Sequence, residues 1–144
     1  MKRMVGFIAA ILFLLNPGLP AQSDLTVKNI SVNEFKQQIE GDSNLVILDV
    51  RTPEELTGPL GKIDGVINIP VQQLDKRIDE LNNYKDQEIA VICRTGHRSA
   101  IAAKILSANG FTKVENVEGG MTAYRQDQKI IKRQKTEKQI HDND

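Results

Sequence analysis

The stretch VICRTGHRSAIAAKILSANG, residues 91–110, decides the fold of this chain. It begins as a short β-branched run and passes through Cys93, the single cysteine of the 144 residues, into an Ala/Ile-rich amphipathic segment. This change of hydrophobic period predicts a junction between a strand and a helix at the cysteine. Ser99 is the predicted first residue of the helix, which runs to Asn109 with Gly110 as its stop.

The residues that follow Cys93 carry groups suited to binding an anion. They are, in order, Arg94, Thr95, Gly96, His97, Arg98 and Ser99. The first N–H groups of a helix lack intrahelical partners, and the helix dipole adds positive charge at the same end. Gly96 permits a positive φ, with which successive N–H groups can converge on one point. We therefore expect Cys93 to ionise readily and to act as a nucleophile, since the thiolate is the reactive form.

The rest of the chain alternates between strand and helix signals. Strands are predicted at residues 26–30, 45–48, 66–69, 89–92 and 113–117; the first of them is weak, and the middle three are apolar runs. Helices are predicted after the caps at Ser31 and Thr52, over the apolar spacing of Val71, Leu74, Ile78 and Leu81, after the cysteine loop, and after Gly119-Gly120. Continuous apolar strands separated by helices predict an α/β fold with a mainly parallel central sheet and helices on both faces.

Asp49 and Arg51 come directly after the predicted strand at residues 45–48, as Cys93 comes after the strand at 89–92. Ligands of parallel sheets bind at the carboxyl ends of the strands. We therefore expect Asp49 and Arg51 to lie near the cysteine loop and to support it.

Four segments together resemble the single-domain rhodaneses, the thiosulfate sulfurtransferase family. CRTGHRS resembles the active-site loop of that family, and three further segments agree with the family in the right order: LDVRTPEEL at 48–56, GKIDGVINIP at 61–70 and VEGGMTAY at 117–124. The departures are Lys62 for the usual His, Asp64 for the usual Pro and Tyr124 for the usual Trp. All three departures lie outside the cysteine loop. The chain is thus identified as an exported member of this family.

The resemblance implies a rhodanese-like domain over residues 22–126 and a sulfur-transfer reaction. Cys93 would take the outer sulfur of thiosulfate as a persulfide, and a thiophilic acceptor such as cyanide or a thiol would remove it. The backbone N–H groups of residues 95–99, with Arg94 and Arg98, would bind the anion. No metal and no organic cofactor is needed. The expected partners are small sulfur-containing anions and thiol acceptors, and a protein sulfur acceptor is the further partner left open.

Three other classes of protein compete with this interpretation. A cysteine-dependent phosphatase or arsenate reductase also holds an anion over a cysteine, but its loop places five residues between Cys and Arg, whereas Cys93 and Arg98 enclose four. A persulfide carrier that delivers sulfur to a partner protein would need the same cysteine. A catalytically silent binding module normally lacks the cysteine, so its presence argues against that class.

The two histidines are not expected to carry the chemistry. His97 is discounted as a general base, because the positive potential of the loop is enough to lower the pKa of the thiol. His141 lies in the polar tail, so a zinc site lacks ligands.

The first 21 residues are predicted to be a secretory signal peptide. Lys2 and Arg3 precede an apolar core at residues 5–15, and Ala21 precedes the expected cleavage. A bilayer span needs roughly 20 apolar residues, so an uncleaved anchor is the weaker alternative. We expect an exported, periplasmic protein with no stable membrane span after cleavage. Its lone thiol cannot form an internal disulfide and is kept for chemistry.

The composition and the C-terminal tail point to few additional partners. The sequence holds no Trp, two Tyr and four Phe, which argues against a stacking platform for nucleic acid, and nothing in its charge calls for one. Residues 127–144 form a polar tail, expected to be a frayed and solvated terminus, although Ile130 and Ile131 could extend the last helix.

Overall fold

The computed structural model describes residues 27–141 of the chain. The predicted signal peptide, with the expectations attached to it, lies outside this part. The described residues form five strands: β1 (Lys28–Ile30), β2 (Val46–Asp49), β3 (Ile67–Asn68), β4 (Ile89–Ile92) and β5 (Val114–Val117). Five α-helices accompany them: α1 (Val32–Gly41), α2 (Pro53–Thr57), α3 (Val71–Arg77), α4 (His97–Ala108) and α5 (Gly120–His141). The predicted α/β fold is therefore confirmed.

The strands form one sheet in the order β1-β5-β4-β2-β3, and every neighbouring pair is parallel. After β2 the chain continues to β3 on one side, whereas after β4 it continues to β5 on the other side. The carboxyl ends of β2 and β4 therefore flank a topological switch point, where open α/β sheets place their ligands. The register brings Asp49 opposite Ile92, the residue before the cysteine.

Two apolar clusters cover the two faces of the sheet. Alternate residues of β4 point to opposite faces, so Val91 packs with Leu106 of α4 on one side, while Ile92 packs with Phe35 of α1 and Met121 of α5 on the other. Each large side chain that is fully buried in this way contributes roughly 1.5–3 kcal/mol. The core on both faces thus fixes the sheet edge on which the cysteine loop lies.

Local sequence signals account for several helix boundaries. At the start of α1, Ser31 and Glu34 form the predicted capping box, with Glu34 N–H donating to the Ser31 hydroxyl at 3.2 Å and Ser31 N–H donating to the Glu34 carboxylate at 2.7 Å. The amphipathic helix predicted from Val71 narrows after Arg77 into a 3₁₀ segment, Ile78–Tyr84. Leu74 and Leu81 are nonetheless both buried, as their spacing predicted.

The expectation of a frayed C-terminal tail is wrong, because α5 continues across residue 127 to His141. The sequence after Gly120 contains no further glycine and no proline, so a helix begun by packed residues can propagate through good helix formers. Residues 129–139 are exposed, as expected of the polar tail. Among residues 27–141, no helix combines the length and the apolar character that a membrane span requires.

Candidate active site

The sulfur of Cys93 lies inside a turn that its own loop makes. Gly96 has φ +100 and ends the turn, and α4 begins directly after it at His97, two residues earlier than predicted. The Gly96 N–H donates to Cys93 Sγ at 3.1 Å, and the Ser99 hydroxyl lies 3.3 Å from the same sulfur. Ser99 is therefore not the first residue of the helix. It lies in the first turn, where its side chain faces back to the sulfur.

The surroundings of Cys93 favour the thiolate. Burial raises the pKa of the thiol, but hydrogen bonds from the Ser99 hydroxyl and from the N–H groups of Ser99, Thr95 and Gly96 outweigh it and lower the pKa below its ordinary value. The Ser99 hydroxyl also lies 3.0 Å from the Gly96 carbonyl. It has one proton, so it can donate to the carbonyl beside a neutral thiol and to the sulfur beside a thiolate.

The rim of the loop is exposed, whereas its base is closed. Arg94, Thr95 and His97 are exposed, and Cys93 has only 1% of its surface exposed. A ligand therefore meets the rim residues first and reaches the sulfur last. His97 borders a shallow depression that it shares with Gly119, on the outer side of the loop.

Arg98 is held by Glu55, a residue of α2 that the sequence had not indicated as part of the site. Its two terminal nitrogens donate to the two carboxylate oxygens of Glu55, each at 2.7 Å. Chiefly through this contact, the pKa of the Glu55 carboxyl is lowered to about 2. The same carboxylate accepts from the Thr52 N–H at 3.1 Å. The pair therefore ties α2 to α4, although 43 residues separate its members.

Asp49 and Arg51 form a second ion pair, which is fully buried. Their side chains are 0% and 1% exposed, and the Arg51 Nη2 lies 2.7 Å from the Asp49 carboxylate. Arg51 also donates to the backbone carbonyls of Glu55 and Gly61, at 3.3 and 2.8 Å. The amide of Asn68 bonds the carbonyls of Asp49 and Arg51, both at 2.8 Å. The Asp49–Arg51 pair has no hydrogen bond to the sulfur among residues 27–141. It supports the cysteine loop indirectly, because Arg51 bonds the carbonyl of Glu55, whose side chain holds Arg98.

The start of α5 closes the loop from the other side. Met121 N–H donates to the Cys93 carbonyl at 2.8 Å, and Thr122 N–H donates to the Arg94 carbonyl at 3.0 Å. Gly120 has φ +54, and a Cβ at this position would lie 2.4 Å from the Cys93 carbonyl oxygen. Sequence reasoning placed a turn at Gly119-Gly120 but missed this contact. The only signal for it was the resemblance of the segment VEGGMTAY to the family.

Arg125 holds the loop between α2 and β3. Its guanidinium donates to the carbonyls of Leu60 and Lys62, at 2.7 and 2.8 Å. No sequence pattern had indicated this role. Among residues 27–141, no group of three or more His, Cys, Asp or Glu side chains is gathered as the ligands of a metal ion would be.

Comparison with known proteins identifies the family. A family model described as a rhodanese-like domain matches residues 31–127. The chain therefore belongs to the rhodanese-like family, as its sequence segments predicted.

Relatives and a solved structure agree with this membership. YtwF of Bacillus subtilis, which has been given a sulfurtransferase name, is 38% identical over 69% of this chain and 92% of its own length. YrkF of the same organism, which has been given a sulfur carrier name, is 43% identical over 67% of this chain. The matched stretch covers 50% of YrkF. The crystal structure of a rhodanese-like domain protein from Staphylococcus aureus is 34% identical, with a TM-score of 0.60 over 68% of this chain and 91% of that one.

Proposed function

We propose that this protein is a sulfurtransferase that moves a sulfane sulfur from thiosulfate to a thiophilic acceptor through a persulfide on Cys93. The observation that carries the proposal is the pair of contacts to Cys93 Sγ, from the Gly96 N–H at 3.1 Å and from the Ser99 hydroxyl at 3.3 Å. These donors stabilise a thiolate without a neighbouring general base. Membership of a family whose relatives are named for sulfur transfer supports the same conclusion.

In the first step the thiolate of Cys93 attacks the outer sulfur of thiosulfate. A bond forms between the two sulfurs, and the original S–S bond of thiosulfate breaks. Its electron pair leaves with sulfite, so no external oxidant or reductant is consumed. The N–H groups at the start of α4 stabilise negative charge both before and after the transfer.

In the second step the acceptor attacks the outer sulfur of the persulfide. The bond between this sulfur and Cys93 Sγ breaks, and the electron pair returns to Cys93 as the thiolate. Cyanide leaves as thiocyanate, and a thiol leaves as its own persulfide. The reaction is therefore of the ping-pong type, with a covalent intermediate.

The position of Arg98 supports sulfur transfer over phosphoryl transfer. A phosphatase uses the arginine of its loop to bind phosphate oxygens, whereas the charge of Arg98 is already paired with the carboxylate of Glu55. The roles of the two loop arginines therefore differ in our proposal. Arg94 meets the incoming anion, and Arg98 positions the loop.

A persulfide carrier is the second candidate, and the name of YrkF favours it. A carrier would form the same persulfide but would release it slowly to small acceptors. Steady-state kinetics distinguish the two. Saturable turnover with thiosulfate and cyanide indicates an enzyme, whereas a single turnover followed by arrest indicates a carrier.

The central test is the intact mass of the protein after incubation with thiosulfate. We expect a gain of one sulfur atom in the wild type, removal of that sulfur by cyanide, and no gain in Cys93→Ala. Ser107→Ala, a change in the same helix away from the loop, serves as the matched control and should gain the sulfur as the wild type does. An unmodified wild type, or release of phosphate from an aryl phosphate at a rate comparable with sulfite release, would overturn the proposal.

We also propose that the protein is exported to the periplasm after cleavage behind Ala21. The charged start and the apolar core of residues 1–21 support this. Cell fractionation with N-terminal sequencing tests it, and the expected mature protein begins at Gln22. A full-length chain in the cytoplasm would contradict the proposal.

A further inference from the structure

A groove opens between α1 and α5, which pack on the same face of the sheet. It has a volume of about 500 Å³. The ring of Tyr124 lines its inner end, and Ile39 of α1 and Ile131 of α5 are its other apolar residues. Tyr124 is 9% exposed and packs on Phe35, with 5.9 Å between the ring centroids, whereas Ile131 is 40% exposed. The groove is therefore built on the core at one end and open to solvent at the other.

The cations at the inner end of the groove are already engaged. Lys36 forms an ion pair with Asp127 and lies over the Tyr124 ring, with 5.4 Å from Nζ to the ring centroid. Arg125 holds the loop between α2 and β3 and also donates to the Gln128 side chain at 2.7 Å. These two cations therefore shape the groove and are not available to a ligand.

Two cations at the outer end of the groove are free. Lys132 and Lys135 line the groove and are exposed, and within residues 27–141 neither ammonium group forms an ion pair or a hydrogen bond. Among the residues that the structure describes, Glu40 is the only acidic one in the groove wall. The opening is thus positively charged and lies beside apolar residues. Such an opening is complementary to a segment that carries both acidic and apolar side chains.

The charge of α5 disfavours two other occupants of the groove. Residues 127–141 include five Lys or Arg and two Asp or Glu, so a second copy packed on this helix would bring like charges together. A helix that lies on a membrane keeps its cations on one polar face, opposite an apolar face. On α5, Lys129 and Arg133 lie on the side away from the groove, because successive residues turn by about 100°. The cations therefore surround the helix and leave no apolar face for a bilayer.

We infer that the groove is a docking site for a partner protein that presents an acidic segment with an apolar side chain. The apolar side chain inserts between Ile39 and Ile131. The carboxylates of the segment contact Lys132 and Lys135.

The groove lies close to the cysteine loop along the same helix. Met121, whose N–H donates to the Cys93 carbonyl at 2.8 Å, precedes Ile131 by about ten residues, or about 15 Å of helix. A partner in the groove is therefore held near the loop that carries the thiolate. Binding in the groove does not itself require the proposed sulfur transfer.

The first test uses a fluorescein-labelled peptide, Glu-Glu-Leu-Glu-Glu-Leu-Glu-Glu, as the probe. Two further peptides replace either both Leu by Ala or every Glu by Gln, and fluorescence anisotropy measures Kd for each. We expect saturable binding of the first peptide to the wild type and a Kd about fivefold higher for the other two, because burial of Leu and contacts with Lys both contribute. Absence of saturable binding, or equal binding of the Ala peptide, would overturn the inference.

Two double variants with the same loss of charge separate the groove from the rest of α5. Lys132→Gln with Lys135→Gln should raise Kd for the peptide about fivefold. Lys129→Gln with Arg133→Gln removes two cations that do not line the groove and should stay within about twofold of the wild type. Circular dichroism should show the wild-type helix content in both. An equal loss of affinity in the two would overturn the inference, because only the general field of the protein would then act on the peptide.

A pair of neighbouring isoleucines tests the apolar contact. Ile130 and Ile131 are 48% and 40% exposed, and only Ile131 lines the groove. Ile131→Ser should raise Kd about threefold, whereas Ile130→Ser should leave it unchanged. Equal effects of the two substitutions would exclude insertion into the groove.

Vesicles of phosphatidylcholine and phosphatidylglycerol test a membrane as the source of negative charge. We expect the wild type to remain in the supernatant when such vesicles are sedimented. Cosedimentation of the wild type, together with no saturable binding of the peptide, would assign this surface to a membrane and overturn the inference. No thiosulfate is present in these assays. A protein that binds the peptide but takes up no sulfur would therefore keep the groove and reject the sulfurtransferase, and the reverse result would reject the groove alone.

Discussion

The carboxyl ends of β2 and β4 make an instructive pair. Both strands are four residues long, buried and adjacent in the sheet, and a polar or reactive side chain stands at or directly after the last residue of each. At the end of β2 the charges of Asp49 and Arg51 neutralise each other inside the protein. At the end of β4 a thiol faces the hydrogen-bond donors of Gly96 and Ser99.

The difference shows how one sheet edge separates support from reactivity. A buried ion pair is stable only while both members are present, so the β2 end is a rigid frame. The Ser99 hydroxyl and the backbone N–H groups stabilise a thiolate at the β4 end, so this end is suited to chemistry. Changes at the β2 end should therefore affect stability, and changes at the β4 end should affect the ionisation of the sulfur.

Breaking the buried pair should have the largest effect on stability. Asp49→Asn leaves the guanidinium of Arg51 buried without a counter-charge, and we expect the free energy of unfolding to fall by about 3–5 kcal/mol. Urea denaturation measures this loss. Glu80→Gln is the control, because it breaks the exposed pair with Arg77 and should cost at most about 1 kcal/mol. Similar losses of unfolding free energy in the two variants would mean that the buried pair contributes no more to stability than an exposed one.

Gly120→Ala should be the next most damaging change, since it affects the helix start that closes the cysteine loop. The added Cβ meets the Cys93 carbonyl oxygen at 2.4 Å on a backbone with φ +54, so we expect a loss of about 3 kcal/mol together with slower sulfur transfer. Thermal or urea unfolding, combined with the rate of persulfide formation, measures both effects.

Two other glycines separate the clash from the backbone strain. Gly110 also has a positive φ, +87, but open space around it, so Gly110→Ala should cost only about 1–2 kcal/mol and leave the reaction unchanged. Gly41 has neither feature, and Gly41→Ala should be neutral or stabilising by up to about 1 kcal/mol. If Gly120→Ala lowered the free energy of unfolding no more than Gly110→Ala, the close contact with the cysteine loop would not contribute to stability.

Glu55→Gln removes the charge that pairs with Arg98 and so weakens the tie between α2 and α4. We expect the free energy of unfolding to fall by about 2 kcal/mol at neutral pH. The pKa of the Glu55 carboxyl is about 2 in the folded protein, against 4.5 for the ordinary group. A lowered pKa in the folded state contributes stability above the unfolded pKa, and this contribution is lost as the pH falls from 4.5 towards 2. The difference in unfolding free energy between wild type and variant should shrink over that range. A difference that is constant with pH would exclude the ion pair as its cause.

Ser99→Ala should have the smallest effect of these changes, and this effect should be on the ionisation of the Cys93 thiol. Removal of the hydroxyl takes away a donor that lowers the pKa of the Cys93 thiol, so that pKa should rise. The midpoint of the pH profile for alkylation by iodoacetamide should then move to higher pH, and the rate at neutral pH should fall by up to about tenfold. Ser107→Ala should keep the wild-type profile. An unshifted profile for Ser99→Ala would mean that the backbone N–H groups act alone.

The sequence was sufficient for most of the fold because the deciding signals are local. The apolar run at residues 89–92, the capping box at Ser31 and the glycine at 110 each act within a few residues, and the structure places their elements within a residue or two of the predicted bounds. Two helix boundaries differ from the prediction, one through cooperativity along the helix and one through the backbone conformation of a glycine. The packed start of α5 carries the helix through the polar tail, and Gly96 lets α4 begin before Ser99.

By itself, the sequence determined that a cysteine follows a buried strand and precedes a helix, because hydrophobic periodicity and a flexible glycine are properties of neighbouring residues. Only the tertiary structure decided which charges remain free. Glu55 meets Arg98 across 43 residues, and the start of α5 closes on the Cys93 carbonyl from the far end of the domain. Such contacts depend on the packing of the whole sheet, so a pattern of neighbouring residues does not predict them.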